Sequence, residues 1–282
     1  MSAKRSYRFL ALLLLIQLFI PTAVFSSDLK SGLDKYLKNL PERNNVYIYL
    51  ENLKTGEKYV KQPDKVVPAA SIIKIPVMLE VMEQIKEKKL KAEDTLILKD
   101  KDKVPGGGLL KNYKNNTPVT IDRLVSLMIS ESDNTATNML INKVGMYSVN
   151  NRLRKLRIKN TSLQLLIFDL KAYSQGKDNL TTAADMGILL KKIYKRQVAT
   201  PELCFKMTDI LKKSKNNNGI PKYISGAAVA HKTGSLAGIK GDSGIILSTN
   251  PYVLSVFVKG LPEATAEKII AEIGKISFSA LK

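Results

Sequence analysis

Alternating runs of apolar and polar residues near both ends of the chain predict a β-sheet. Residues 45–50 and 57–61 are rich in β-branched and aromatic side chains and flank a glycine-containing turn, which is typical of a hairpin. Three further strands are predicted at residues 226–232, 242–248 and 252–259. The chain then closes with a helical pattern over residues 263–277.

The centre of the chain has the period of amphipathic helices instead. Apolar residues recur on one helical face at Ile121, Leu124, Val125 and Met128. Thr120 is placed as the N-cap of this helix, which should stop near Ser130. A second helix is predicted over residues 134–144, ended by Gly145. Further helix starts are predicted at Thr182 and Thr200.

Strands from both ends of the chain with helices between them predict an α/β (α+β) fold in which the two terminal segments pair in one antiparallel sheet. We expect a single catalytic domain over residues 27–282. Its sheet lobe would comprise residues 27–70 and 215–282, with residues 71–214 inserted as an all-helical lobe. A binding site is expected in the cleft between the sheet edge and the helical lobe.

The first 26 residues resemble a secretory signal. Lys4, Arg5 and Arg8 precede an apolar run from residue 9 to residue 20, and small residues at Val24 and Ser26 favour cleavage after Ser26. The apolar run is shorter than a membrane span. We therefore expect an exported protein, periplasmic or extracellular and associated with the cell envelope. It would be tethered there if the segment is retained.

Composition adds constraints on partners and cofactors. The formal net charge is +20, but the lysines are scattered and no basic and aromatic nucleic-acid motif occurs, so a solvated lysine-rich surface is favoured. Association with anionic envelope polymers is the alternative, and no nucleic-acid partner is expected. One cysteine, Cys204, and one histidine, His231, cannot supply a disulfide or the usual zinc ligands. We expect a monomer without metal or cofactor.

Three short motifs carry candidate chemistry. Ser71 and Lys74 are three residues apart at the start of a helical run, where the lysine amine could accept the serine proton. Alone, this pair also fits a capping serine followed by a surface lysine. Ser132-Asp133-Asn134 lies between two predicted helices and could be an ordinary cap. Lys232-Thr233-Gly234 ends a predicted strand and offers a positive charge to a substrate carboxylate.

The three motifs in this order resemble the signature of class A β-lactamases and penicillin-binding proteins. The likeness extends from about residue 45 to residue 280. Residues 105–110, Pro-Gly-Gly-Gly-Leu-Leu, resemble the family's glycine-containing turn, and Thr135-Ala136 continue the second motif as the family's helix does. The resemblance implies the β-lactamase and transpeptidase fold and a serine acyl-enzyme mechanism.

Carried over to this chain, the resemblance implies a role for each matching residue. Ser71 would be acylated, Lys74 would transfer its proton, and Ser132 would protonate the leaving nitrogen. The substrate would be bound by Asn134, Lys232, Thr233, Gly234 and Ser235. The backbone amides of Ser71 and Ser235 would form the oxyanion hole. His231 directly precedes the third motif and is interpreted as structural.

The chain departs from the class A pattern in one loop. The glutamate that activates the deacylating water in that family is missing, because its expected position falls near Leu166. Asp169 supplies a carboxylate in this stretch and is either a replacement base or a helix or loop cap. The Arg and Asp that usually join the loop's ends correspond to Gln164 and Asn179, so we expect a rebuilt loop.

Three functions follow as hypotheses. The first is an exported class A β-lactamase that is acylated at Ser71 by β-lactams or related amides and deacylated by water. The second is a penicillin-binding D,D-peptidase or esterase that acts on peptidoglycan peptides and deacylates slowly. The third is a non-catalytic module that binds wall polymers, against which the intact set of motif residues argues.

Overall fold

The computed structural model describes residues 27–41 and 43–282. The predicted signal segment, residues 1–26, lies outside the described residues. Across the described ranges, no helix combines the length and the apolar character needed to span a membrane.

A five-stranded antiparallel sheet joins the two ends of the chain, as predicted. The strands follow the spatial order β2-β1-β9-β8-β7. Their bounds are β1 Val46–Asn52, β2 Lys58–Lys61, β7 Ala228–Leu236, β8 Ile239–Leu247 and β9 Tyr252–Lys259. In the central pairing Leu50 lies opposite Leu254, so strands about 200 residues apart in sequence are neighbours in the sheet.

Both faces of this sheet are covered, which explains why its central strands are buried along nearly their whole length. Alternate residues of β1 point to opposite sides. Ile48 and Leu50 belong to the core formed with the terminal helices α1 Ser27–Lys38 and α9 Glu263–Leu281. Tyr47 and Tyr49 face the larger core formed with the central helices.

The central helices are largely those that the sequence predicts. Their bounds are α2 Lys74–Lys86, α3 Ile121–Ser130, α4 Asn134–Val144, α5 Met146–Lys155, α6 Leu170–Ser174, α7 Ala183–Tyr194 and α8 Pro201–Leu211. The hydroxyl of Thr120 accepts a hydrogen bond from the Arg123 N–H, which confirms the predicted N-cap. Thr182 and Thr200 cap α7 and α8 in the same way.

The structure adds short strands that the sequence pattern does not predict. Three of them lie within residues 71–214, so the prediction of an all-helical lobe there is wrong. They are β3 Val67–Pro68, β4 Thr95–Leu98, β5 Thr117–Thr120 and β6 Leu180–Thr181. β3 pairs with β6, and β4 pairs with β5. Such two- to four-residue strands carry too few side chains to show a period, so only tertiary pairing defines them.

The strand that carries the third motif is longer than predicted. β7 continues to Leu236 and turns into β8 through Gly238, whose φ is +74°. Pairing with β8 extends through Ser235, which lies opposite Lys240. Lys232, Thr233 and Gly234 are therefore inside a strand and do not end it, because the hairpin supplies backbone partners beyond the apolar run.

Candidate active site

Ser71 and Lys74 meet at the start of α2. Ser71 lies in the 3₁₀ turn Ala70–Ile73, and Lys74 is the first residue of the helix that follows. Lys74 Nζ is 3.1 Å from Ser71 Oγ. Residues 75–84 of α2 are buried, so packing of the helix fixes the direction in which this first turn points.

Ser132 completes a cluster of three side chains. It lies in the connection between α3 and α4 with a φ of 52°, a conformation that is unfavourable for a residue with a Cβ. Its Oγ is 3.0 Å from Ser71 Oγ and 3.0 Å from Lys74 Nζ. The unusual backbone conformation thus accompanies a side chain directed at the other two functional groups.

Lys74 also contacts two oxygen atoms that can only accept hydrogen bonds. These are the Ser132 carbonyl oxygen at 2.7 Å and Asn134 Oδ1 at 2.9 Å. An uncharged amine has two N–H groups and one lone pair. If the two N–H groups are donated to these oxygens, the lone pair remains for a hydroxyl proton of the serine cluster.

The electrostatics of the site favour the uncharged form of Lys74. Burial, and secondarily the Lys232 ammonium, hold the pKa of Lys74 well below its ordinary value, although Asp133 acts in the opposite direction. Lys74 has no solvent-exposed area. Lowering the pKa of an amine increases the fraction that carries a free lone pair and can act as a base.

Asp133 organises the turn around these groups. Its Oδ1 accepts the Ala136 N–H at 2.8 Å as the N-cap of α4, and its Oδ2 accepts the N–H groups of Leu109 and Leu110 at 2.6 and 2.8 Å. Gly108 packs so closely on this carboxylate that a Cβ there would overlap it. The glycine-containing turn and the second motif therefore form one rigid unit.

The third motif borders the same space from the sheet. A Cβ built on Gly234 would lie 3.0 Å from both the Ala69 carbonyl oxygen and the Ala70 Cβ, so β7 packs directly beside the turn that carries Ser71. Lys232 is buried and donates a hydrogen bond to the Thr233 carbonyl oxygen at 2.8 Å. Burial lowers the pKa of Lys232 to about 8, although Asp242 opposes this effect.

One cleft of about 670 Å³ brings the predicted residues together. It is lined by Ser71, Ser132, Asn134, Asp169, Lys232, Thr233, Gly234 and Ser235. Lys74 lies buried beneath them and contacts Ser71, Ser132 and Asn134. Every residue of the predicted site is thus located in or directly behind this cleft.

The loop of residues 164–179 forms another wall of the cleft. Its ends are joined by Asn179, whose Oδ1 accepts the N–H groups of Gln164 and Leu165 at 2.7 and 3.1 Å. Its middle is held by Asn138, which exchanges two hydrogen bonds with the backbone of Ile167, at 2.8 and 2.9 Å. The loop is closed by amide contacts where the family pattern has an ion pair.

This loop presents mainly apolar side chains to the cleft. Leu165, Ile167 and Phe168 line the cleft, whereas Leu166 packs against the core and is not among the lining residues. Asp169 also lines the cleft, but its Oδ1 caps α6 by accepting the Ala172 N–H at 2.9 Å. Burial raises the pKa of Asp178, the other carboxylate of this loop that lines the cleft, which the sequence pattern does not indicate.

His231 lies behind the site, in agreement with its interpretation as a structural residue. Its Nδ1 is 2.9 Å from Asp242 Oδ1, and its Nε2 has no hydrogen-bond partner among the described residues. Asp242 also accepts the Ile220 N–H at 2.8 Å. His231 is not one of the residues that line the cleft.

Some residues that shape the site were not found from the sequence. Asn138 lies one helical turn after Asn134 on α4, so the i, i+4 spacing could have indicated it. Asp242 and Glu263 come from β8 and α9, where no local pattern points to the cleft. Their positions depend on the pairing of the sheet and the packing of the last helix.

The sheet, the inserted helices and the serine–lysine–serine cluster define a class A β-lactamase-like serine hydrolase. The chain belongs to the beta-lactamase enzyme family, whose sequence model matches residues 29–281.

Comparisons with individual proteins agree with this assignment. The chain is 26% identical to the β-lactamase VEB-1 of Pseudomonas aeruginosa, covering 95% of this chain and 96% of the relative. It is also 26% identical to the extended-spectrum β-lactamase PER-1 of the same organism, covering 79% and 78%.

Solved structures show the same similarity in three dimensions. A β-lactamase from Sphaerobacter thermophilus superposes with a TM-score of 0.83 at 29% identity, covering 89% of this chain and 97% of that one. PBP-A superposes with a TM-score of 0.81 at 26% identity, covering 90% and 96%. A leucine-to-glutamate variant of PBP-A, solved as an acyl-enzyme complex with penicillin G, has a TM-score of 0.81 at 27% identity and covers 90% and 96%.

Proposed function

We propose that this protein is an exported serine hydrolase that is acylated at Ser71 by β-lactams or related amides and releases the acyl group slowly to water. The observation that carries the proposal is the contact at 3.1 Å between the Ser71 hydroxyl and the buried Lys74 amine, whose pKa is held well below its ordinary value. A serine hydroxyl attacks a carbonyl effectively only when a base takes its proton. Export rests on the sequence pattern of residues 1–26.

In the proposed reaction, Ser71 Oγ forms a bond to the substrate carbonyl carbon as its proton passes to Lys74 Nζ. Collapse of the tetrahedral intermediate breaks the carbon–nitrogen bond. The proton then reaches the leaving nitrogen through Ser132, whose Oγ is 3.0 Å from both Ser71 Oγ and Lys74 Nζ. The backbone N–H groups of Ser71 and Ser235 would stabilise the oxyanion.

Substrate binding is assigned to the cleft walls. The Lys232 ammonium and the Thr233 hydroxyl would receive a substrate carboxylate, with Gly234 allowing close approach of the strand. Asn134 lines the cleft and would contact the substrate's amide side chain, although its Oδ1 also accepts a hydrogen bond from Lys74. β-Lactams and peptidoglycan peptides both supply such an amide and carboxylate.

Slow deacylation is supported by the loop wall. Water needs a base of its own to attack the acyl-enzyme, and the loop presents Leu165 and Ile167 to the cleft. The Asp169 carboxylate is engaged as a helix cap. The proposal thus combines the family's acylating apparatus with a weak hydrolytic step, as in a penicillin-binding enzyme.

Efficient β-lactamase activity is the second candidate, and one observation favours it. Asp169 and Asp178 both line the cleft, and burial raises the pKa of Asp178, which strengthens it as a proton acceptor. Either carboxylate would then activate water in place of the family's glutamate. Asp169→Asn and Asp178→Asn variants separate their contributions.

The test adds a chromogenic cephalosporin to the purified protein lacking residues 1–26 and follows both colour change and intact mass. We expect one acyl adduct, located on Ser71 by peptide mapping, that persists long after the free cephalosporin is consumed. Rapid turnover that Asp169→Asn or Asp178→Asn abolishes would establish the second candidate. A protein that remains unmodified and produces no colour change, or a Ser71→Ala variant that reacts as the parent does, would overturn both.

A further inference from the structure

The hydroxyl of Ser235 is engaged by a carboxylate that also lines the cleft. Its Oγ donates a hydrogen bond to Glu263 Oε1 at 2.8 Å. Ser235 lies near the end of β7, and Glu263 is the first residue of α9. Both line the cleft, and Glu263 is 61% exposed, so its carboxylate is accessible to a bound molecule.

Lys240 links this contact to a second carboxylate. It lies opposite Ser235 on β8 and is only 4% exposed. Its Nζ donates to the same Glu263 Oε1 at 2.7 Å and to Glu267 Oε1 at 2.6 Å. Glu267 is one turn further along α9 and is not among the cleft-lining residues.

The combined charge of Lys240, Glu263 and Glu267 does not favour the binding of an anion. One ammonium faces two carboxylates, which leaves a net charge of −1 when all three groups are ionised. Hydrogen bonds from Lys240 and Ser235 lower the pKa of Glu263, so this carboxylate is ionised at neutral pH. The positive charge of Lys240 is therefore already compensated before any substrate binds.

The hydroxyl group of Ser235 has a single proton to donate. While that proton is directed at Glu263, only oxygen lone pairs of the hydroxyl remain, and these repel a carboxylate. A substrate carboxylate must then rely on Lys232 and Thr233. A carboxamide or an ammonium group, in contrast, can donate a hydrogen bond to Glu263.

We propose that Glu263 determines substrate specificity: it withholds the Ser235 hydroxyl from anionic groups and favours substrates with a carboxamide or ammonium group at this end of the cleft. The inference rests on acylation at Ser71, as proposed above. It assigns to Glu263 a positioning role that acts through Ser235, together with a direct contact to the substrate's donor group.

The test compares two ester depsipeptides that differ only in ending as a carboxylate or a carboxamide. The second-order rate constant of acylation is measured for each by intact mass. In Glu263→Gln we expect the carboxamide-to-carboxylate rate ratio to fall about tenfold, the size of one hydrogen bond to a charged group. Glu267→Gln is the matched control, because it removes the same charge without touching Ser235, and its ratio should change less than about twofold.

Two further variants test whether the effect of Glu263 on the rate ratio depends on the Ser235 hydroxyl. Glu263→Ala, which removes the acceptor entirely, should lower the ratio at least as far as Glu263→Gln. Removing Glu263 should raise the acylation rate of the carboxylate substrate by releasing the Ser235 hydroxyl. In a Ser235→Ala background this hydroxyl is absent, so the increase in rate should be largely lost. Thermal unfolding of each variant verifies that it is folded.

The outcomes separate this inference from the proposed function. Adducts on Ser71 with an unchanged ratio in the Glu263 variants would overturn the inference alone. Equal changes in Glu263→Gln and Glu267→Gln would also overturn it, because they would indicate a general charge effect. Absence of any adduct on Ser71 would overturn the inference and the proposed function together.

Discussion

The acylation reaction should have an alkaline limit set by Lys232. Burial lowers the pKa of this ammonium from 10.5 to about 8, with a smaller contribution in the same direction from Lys240 and an opposing one from Asp242. The difference corresponds to roughly 3 kcal/mol of preference against the charged form. In the proposed reaction, Lys232 attracts a substrate carboxylate only while its amine is protonated. Loss of this proton above about pH 8 should therefore slow acylation.

The assay is the second-order rate constant of acylation by a carboxylate-bearing β-lactam between pH 6 and pH 10. Because this constant reports ionisations of the free enzyme, we expect it to fall above about pH 8, by up to about tenfold per pH unit. Deprotonation of Lys74 should have the opposite effect on the acylation rate constant. Its amine is the reactive form, so the rate should rise as pH increases through its lowered pKa.

Lys232→Arg is the decisive perturbation. A guanidinium stays charged throughout this pH range, so the alkaline limit should disappear even if the larger side chain lowers the absolute rate. A neutral carboxamide substrate, which does not need the ammonium, should show a weaker limit with the parent protein. An alkaline limit near pH 8 that persists in Lys232→Arg would refute the reasoning.

Three other substitutions test how the site is supported. Asp133→Ala should lower the free energy of unfolding by roughly 3 kcal/mol, measured by urea denaturation, because it leaves buried backbone N–H groups without an acceptor; an unchanged midpoint would contradict this. Asn138→Ala should speed hydrogen exchange at Ile167 and its neighbours at least tenfold, since both side-chain contacts to that backbone are lost; unchanged protection would show that other contacts hold the loop. Gly234→Ala should slow acylation of Ser71 at least tenfold while preserving the fold, because the new Cβ would crowd the neighbouring turn; parent-like kinetics would show that the turn adapts without cost.

The sequence was sufficient for features that depend on neighbouring residues. The spacing of Ile121, Leu124, Val125 and Met128 predicted a buried helical face, and all four side chains are buried in α3. Thr120, Thr182 and Thr200 cap helices because their hydroxyls accept N–H groups only three residues away.

Ser71 and Lys74 belong to this local category as well, because one turn of chain fixes their separation. The β7 boundary does not, since the strand continues only where β8 provides hydrogen-bond partners. The short strands β3 to β6 were not predicted for the same reason. In each case the deciding partner is distant along the chain.

Tertiary structure alone determined the chemical state of the site. Burial and the Lys232 ammonium, 158 residues away in sequence, lower the pKa of the Lys74 amine. Leu165 and Ile167 are part of the loop wall of the cleft, in a loop that Asn138 and Asn179 hold in place. Ser235 is directed at Glu263 because α9 packs beside the β7–β8 hairpin. Side-chain types and local spacing can be read along a chain, but desolvation and charge proximity depend on distances that exist only in the folded protein.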